Sequence, residues 1–456
     1  MLYRIALLLS LTFIFYTNTY AQSKGTNDTR YLPGSNDTAT HAYSLEQCIS
    51  YALKNQPAVN QSHIDEEIAR ANRSIALAGW LPQVIGGANL QHWLELPRSF
   101  LPLNGTPTLI RTGVANTSNP NIAATWNLFS NDVLLAAKAA NTNIELAKET
   151  TKETKIQLVA DVSKAFYDIL LSVERINVYK EDTARLTKNQ QDAYHRYVSG
   201  ISDKVDYKQA TIALNNSLSQ LKTASEEVKG KYAALKRLMG SPAEQRITVN
   251  FDTALMMQGI YTDTNAILHI ERRVEYQQLQ LMRRIQHLNT SYYRTNFIPT
   301  LSAFYNYNYQ FQSQQFTDLY NQAYPNSYVG LQLSVPLFTG FKRLDNIHKS
   351  KLQEERIDWD EVNLKLAVYT EYQTSLAAYK SNLYNLKAQG ENVAMAREVY
   401  NIVKLQYSEG IKAYLDVIVA ESDLQESEIN YLNALFQTLQ SKVSLEQAMG
   451  EINVEM

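Results

Sequence analysis

The chain has 456 residues, a single cysteine, and 43 basic side chains against 45 acidic ones. A net charge of -2 makes no field for a polyanion, so no nucleic-acid partner is expected. Cys48 alone excludes internal disulfides and cysteine-based zinc sites, and the near-absence of cysteine fits a bacterial envelope chain.

Residues 1–21 read as a secretory signal peptide. Arg4 is the basic region, Ile5 to Tyr16 the apolar stretch, and Thr19-Tyr20-Ala21 a small-x-small cleavage site. No later run reaches the ~18 apolar residues of a membrane helix. The mature chain is therefore expected to be periplasmic, secreted, or a β-barrel of the outer membrane. Residues 22–43 are polar and turn-rich, and read as a flexible leader.

Residues 45–79 predict a helix with Leu45, Ile49 and Leu53 on one face, interrupted near Pro57 and ended by Pro82. Residues 84–94 and 121–129 read as strands, separated by a long loop rich in Pro, Gly, Asn and Thr. From Pro120 to Pro242 there is no proline. Leu158, Val162, Phe166, Ile169, Val173 and Ile176 form a helical stripe. Residues 131–199 thus predict one helix of ~100 Å at 1.5 Å per residue. Gly200 supplies a permissive turn, and 202–238 return as a second helix.

The second half repeats this order. Residues 266–296 predict a helix, 300–312 and 327–338 strands, 342–409 a long helix, Gly410 a turn, and 411–449 the return. Local words recur with the layout. Gly200-Ile201 reappears as Gly410-Ile411, Met239-Gly240 as Met449-Gly450, and Leu128-Phe129-Ser130 as Leu337-Phe338-Thr339. This divides the chain into a first repeat at 44–242, a connector at 243–259, a second repeat at 260–450 and a short tail at 451–456.

In 301–312, Leu301, Ala303, Tyr305, Tyr307, Tyr309 and Phe311 alternate with Ser302, Phe304, Asn306, Asn308, Gln310 and Gln312. In 328–337, Val329, Leu331, Leu333, Val335 and Leu337 alternate with more polar or small residues. A period of two over about ten residues is the signature of a transmembrane β-strand. A soluble sandwich with one wet face would give a similar pattern. Tyr292, Tyr293, Tyr320, Tyr324 and Trp93 flank the strands as interfacial aromatics would. Four strands cannot close a barrel, and an open edge cannot sit in lipid. Two copies would give a barrel filled by side chains, three copies one with a lumen. Strand arithmetic therefore leans towards a trimer. Helices this long also need side-by-side partners, as in coiled coils. The loops 95–120 and 313–326 are expected outside the cell, and the turns at Gly200 and Gly410 in the periplasm.

On these features the chain resembles the TolC family of bacterial outer-membrane efflux proteins, over nearly all of 44–450. The resemblance rests on the duplicated layout, on Trp80-Leu81-Pro82, and on Val335-Pro336-Leu337-Phe338-Thr339-Gly340 with its counterpart Trp126-Asn127-Leu128-Phe129. It rests also on the turn motifs Tyr197-Val198-Ser199-Gly200 with Asp206, and Tyr407-Ser408-Glu409-Gly410 with Asp416-Val417. It implies an α+β membrane protein: a homotrimer with a 12-stranded β-barrel in outer-membrane lipid, continued by a long periplasmic α-helical barrel. It also implies a periplasmic adaptor and an inner-membrane pump or ABC exporter as partners. At the periplasmic tip it implies a gate in which Tyr407, Lys412 and Asp206 latch the helices and Asp416 forms an acidic ring, with Gly200 and Gly410 as the turn glycines. Lys412 stands where the family pattern can have Arg, which loses bidentate geometry. Val419 stands where some members carry a second acidic ring. Without the resemblance, Asp206 and Asp416 read as ordinary carboxylates at helix N-termini.

The seven histidines are scattered, and there is no phosphate loop, nucleophile elbow or acidic calcium loop. No enzyme activity, metal or cofactor is expected, so energy for transport must come from a partner. The function expected is a passive exit duct for efflux. The alternatives are an exit duct for type I protein secretion and, from another class, a periplasmic coiled-coil adaptor or structural rod. An adaptor would carry one helical hairpin flanked by soluble β domains, whereas this sequence has two hairpins with strands inside the repeats.

Overall fold

The computed structural model describes residues 41–103, 106–250, 259–264 and 267–454. The expected signal peptide, residues 22–40 of the leader, 251–258 of the connector and the last two residues of the tail lie outside the described residues.

Ser44 opens the first helix with a capping box, its Oγ accepting from the Gln47 amide while the Gln47 side chain accepts from the Ser44 amide. Helix α1 spans Leu45–Asn55 and α2 spans Pro57–Ala78, with Pro57 at the first position of α2, where a missing N–H costs nothing. The four long helices are α3 at Asn131–Val198, α4 at Lys204–Met239, α6 at Lys342–Ser408 and α7 at Tyr414–Met449. These match the expected bounds to within a few residues. Helix α5 spans Val274–Thr295, so it starts later than expected, after a short 3-10 turn at Ile270–Arg272.

The strands form one main antiparallel layer. The first path runs β2 (Gln83–Gly87) then β3 (Leu90–His92), and the second runs β6 (Asn116–Ser118) then β7 (Asn121–Phe129). Both β6 and β7 pair with β9 (Thr300–Ser313), whose other side carries β10 (Ala323–Ser334). Among the described residues, β2 and β3 leave one edge unpaired and β10 leaves the other. The expected bare loop at 95–120 instead contains a hairpin of β4 (Arg98–Leu103) and β5 (Thr106–Arg111). Pro102 and Pro107 face each other in it. A two-stranded ribbon tolerates residues without an N–H, so proline there did not prevent pairing. Pro325 sits inside β10 for a related reason: β10 is an edge within the chain. At the other end, β1 (His41–Tyr43) pairs in parallel with β8 (Ile247–Val249), so the last three residues of the expected leader are ordered in a strand.

Register fixes the faces of the sheet. Leu301, Ala303 and Tyr305 stand beside Leu333, Leu331 and Val329 on one side and beside Phe129, Trp126 and Ala124 on the other. This is a continuous apolar face, and its side chains on β10 are exposed. The opposite face carries Ser302, Asn306, Asn308 and Gln310, and Asn308 Nδ2 donates to Asn326 Oδ1 at 3.0 Å. Phe304 also lies on that face, against Gly330, where any Cβ would come within 2.5 Å of the ring. The sheet meets the turn after α2 through Trp126 Nε1 donating to the Trp80 carbonyl at 2.8 Å, and just below it Asn131 Nδ2 at the start of α3 donates to the Tyr292 carbonyl of α5 at 3.3 Å.

Apolar packing is strung along the helices in separate clusters. One joins Cys48, Ile49 and Val59 to Val162, Phe166, Leu235 and Met239. Another, at the far end of the long helices, joins Ala193, Ala210, Tyr400, Tyr414, Val417 and Leu424. Gly240 ends α4 with φ 68°, and a Cβ there would lie 2.6 Å from the Asn55 carbonyl oxygen. Gly240→Ala is therefore expected to lower stability by at least ~1–2 kcal/mol, the cost of the left-handed conformation before the clash is counted. A urea midpoint equal to that of the parent protein would show that the α1–α4 contact is looser than described.

Candidate gate at the helical tip

The two long hairpins turn in the same way. In the first, Gly200 N–H donates to the Tyr197 carbonyl and Ile201 N–H to the Arg196 carbonyl. In the second, Gly410 N–H donates to the Tyr407 carbonyl and Ile411 N–H to the Gln406 carbonyl. Both glycines have positive φ, 71° and 76°. The helices that follow begin differently. Asp203 caps α4, its carboxylate accepting from the Val205 amide at 3.4 Å. Ala413 holds the corresponding place before α7 and has no acceptor. There Asp416 reaches back, and Ala413 N–H donates to Asp416 Oδ2 at 3.2 Å.

The candidate residues fall into two groups. Lys412 Nζ lies 4.0 Å from Asp416 Oδ2, and both side chains are exposed. So Asp416 serves its own helix start and keeps a carboxylate open to solvent. Tyr407 lies elsewhere in the tip. Its ring packs tilted on Tyr414, centroids 5.4 Å apart, and the Arg196 guanidinium lies over it, 4.8 Å from the centroid. Its hydroxyl is buried without a hydrogen-bond partner among the described residues. Burial pushes the Tyr407 phenol above its ordinary pKa, Arg196 opposes this, and the charges of Asp206 and Asp192 add to the rise. Asp206 is thus brought within electrostatic reach of Tyr407, across the two hairpins, while Lys412 and Asp416 form a separate pair. Arg196 and Tyr414 were not singled out in the sequence. A basic residue in the last turn of a helix reads as a partner for the helix dipole, and Tyr414 as one more apolar position.

The sequence profile of the outer membrane efflux protein family matches residues 48–241 and 273–451, which include all four long helices and both tip turns. The chain belongs to the outer membrane efflux protein family. Outer membrane protein TolC of Vibrio cholerae is 20% identical over 432 residues, covering 92% of this chain and 93% of its own. The toluene efflux pump outer membrane protein TtgC of Pseudomonas putida is 22% identical, covering 90% and 83%. The crystal structure of CusC, described in connection with transmembrane channel formation, superposes with a TM-score of 0.72 at 16% identity, covering 92% of this chain and 95% of that one.

This outer membrane efflux protein carries a second polar constellation, between its two halves. Asp182, Arg185 and Asn189 share one face of α3, and Glu421, Gln425 and Glu428 share one face of α7. Arg185 contacts Asp182 Oδ1 and Glu421 Oε1, each at 3.3 Å. Asn189 Nδ2 donates to Glu421 at 2.9 Å, Gln425 Nε2 to Asp182 at 2.6 Å, and Ser217 Oγ of α4 to Asp182 at 2.7 Å. Asp182 is 1% exposed and Glu421 3%. Burial raises the pKa of both, and Arg185 opposes it in each. Arg397 of α6 reaches Glu428 at 2.7 Å nearby. Among the described residues, no group of three or more His, Cys, Asp and Glu could hold a metal ion, and no helix is long and apolar enough to cross a membrane.

Proposed function

We propose that three copies of this outer membrane efflux protein close one channel, which is the passive exit duct of a tripartite efflux system. The observation that carries this reading is the sheet, apolar on one face, amide-rich on the other, and unpaired among the described residues along both edges. An unpaired edge in lipid leaves N–H and C=O groups unsatisfied at several kcal/mol each. Four strand paths per copy close with three copies into a barrel wide enough for a lumen. The long helices then prolong that lumen into the periplasm, towards an adaptor and an energised inner-membrane pump or ABC exporter. The name of the TtgC relative favours small apolar molecules as cargo over secreted polypeptide. Light scattering in detergent is expected to give a trimer that falls to monomer on boiling, and planar bilayers to show discrete conductance. A monodisperse monomer that conducts would overturn the assembly.

The tip is proposed as the gate, with Tyr407 and Asp206 joining the hairpins and three copies of the Lys412–Asp416 pair around the opening. The exposed Asp416 carboxylates would then repel one another and attract cations. Asp416→Ala is expected to reduce cation selectivity and weaken block by multivalent cations severalfold, with the trimer intact. Channels that keep both properties would leave Asp416 with its helix-capping role alone.

A further inference from the structure

We infer that Arg196, rather than Lys412, is the cation that holds Tyr407 in place at the tip. The inference rests on the gate reading above and names the residue that sets the position of its tyrosine. A hydrogen bond does not fix the ring, because the Tyr407 hydroxyl is buried and finds no partner among the described residues. At the margin of the tip's apolar cluster, the ring packs on Tyr414 of α7 and takes the guanidinium of Arg196 of α3 over its face. Lys412 is engaged on its own helix start, with Asp416, and is exposed.

The chemistry of Arg196 suits the role. Its Nε is buried without a hydrogen-bond partner, and among the described residues no carboxylate forms an ion pair with it. The aromatic face is therefore the group its charge meets, in a partly dry setting where such contacts strengthen. A planar guanidinium stacks on a ring better than an ammonium does. The last turn of α3 also favours a cation through the helix dipole. The Arg196 carbonyl accepts from the Ile201 and Ser202 amides at 2.9 and 3.3 Å, so the same residue closes the first tip turn. One residue of the first half thus ties its own turn to a ring three positions before the turn of the second half. Asp192 and Asp206 bear on the same tyrosine, and neither supplies a cation. Arg196 is a positioning residue: it acts on the gate through Tyr407.

The test compares Arg196→Met, Arg196→Lys, Lys412→Met and Tyr407→Leu in the full-length protein in detergent, by amide hydrogen exchange at residues 406–416 and by single-channel conductance. Arg196→Met keeps most of the side-chain length and removes the charge. It is expected to speed exchange at these amides about tenfold and to raise conductance. Arg196→Lys is expected to fall between it and the parent, and Lys412→Met to leave exchange within about twofold. Arg196→Met on a Tyr407→Leu background is expected to add nothing, which a general loss of packing would not reproduce. If Arg196→Met melts its helices, Arg196→Lys decides, since it retains the charge: faster exchange than Lys412→Met upholds the assignment. Unchanged exchange in the arginine variants, or an equal effect of Lys412→Met, overturns it. If the parent protein does not conduct at all, the channel reading fails, and the exchange comparison still decides the role of Arg196.

Discussion

Arg185→Met is expected to lower the stability of the helical part by ~3–5 kcal/mol, the usual cost of removing one partner from a buried ion pair. Asp182 and Glu421 are almost fully enclosed and share this single guanidinium. Without it, Asn189, Gln425 and Ser217 remain as donors, and two negative charges face each other between α3 and α7. The pH dependence has a definite sign. Burial raises both carboxyl groups above their ordinary pKa, so the folded chain holds protons that the unfolded chain has released. Stability therefore rises as pH falls from neutral towards the ordinary carboxylate range, and declines as pH rises through the elevated folded values. The variant should accordingly lose less at pH 5 than at pH 7.5, because protonation removes the charge that methionine leaves uncompensated. Thermal melts at the two pH values measure this. An equal loss at both would mean that the variant acts through packing and not through the carboxylates.

Leu331→Arg is expected to block assembly in the outer membrane, while Gln332→Arg is tolerated. The two residues are adjacent in β10 and point to opposite faces of the sheet. Leu331 is 70% exposed and stands between Val329 and Leu333 on the apolar face. Gln332 pairs with Ser302 on the amide-rich side. An arginine on the lipid face near the middle of a barrel costs ~2–4 kcal/mol, and three copies would incur that cost three times. The amount of boiling-sensitive oligomer in outer-membrane fractions reads the effect. Wild-type assembly of Leu331→Arg, or failure of both variants alike, would mean that the odd positions do not face lipid.

The parts of this architecture that were legible are those written in local periodicity. The alternation through Tyr305, Asn306, Tyr307 and Asn308 states a strand and its two faces without reference to any other segment. The stripe from Leu158 to Ile169 does the same for α3, and those residues are buried as expected. Two kinds of feature escaped. The β4–β5 hairpin was hidden because Pro102 and Pro107 read as breakers, although a narrow ribbon tolerates them. The expected start of α5 lies too early because Ile267 and Leu268 extend its apolar pattern, whereas Leu268 packs from outside any helix against the cluster of Tyr372, Tyr379, Leu445, Ala448 and Met449. At the tip, Tyr407, Asp206, Lys412 and Asp416 were singled out as expected gate residues by the family resemblance, through motif and turn position. Arg196, Asp182 and Glu421 were not, because each is defined by a partner in the other half of the chain. A polar residue on a long helix looks solvated until the facing helix is known.

The division of apolar packing into separate clusters bears on how this protein can move. In a domain with one core, loosening any part draws on the cooperativity of the whole. Here the tip has its own small cluster around Tyr400, Tyr414 and Val417, far along α3 and α4 from the one around Phe166 and Met239. Such units open with free energies well below that of global unfolding. The ends of the hairpins can thus fray or rotate while the region around α1 and α2 stays folded. Amide exchange should then be graded along each long helix, with the slowest amides near Phe166 and progressively faster ones towards Gly200 and Gly410.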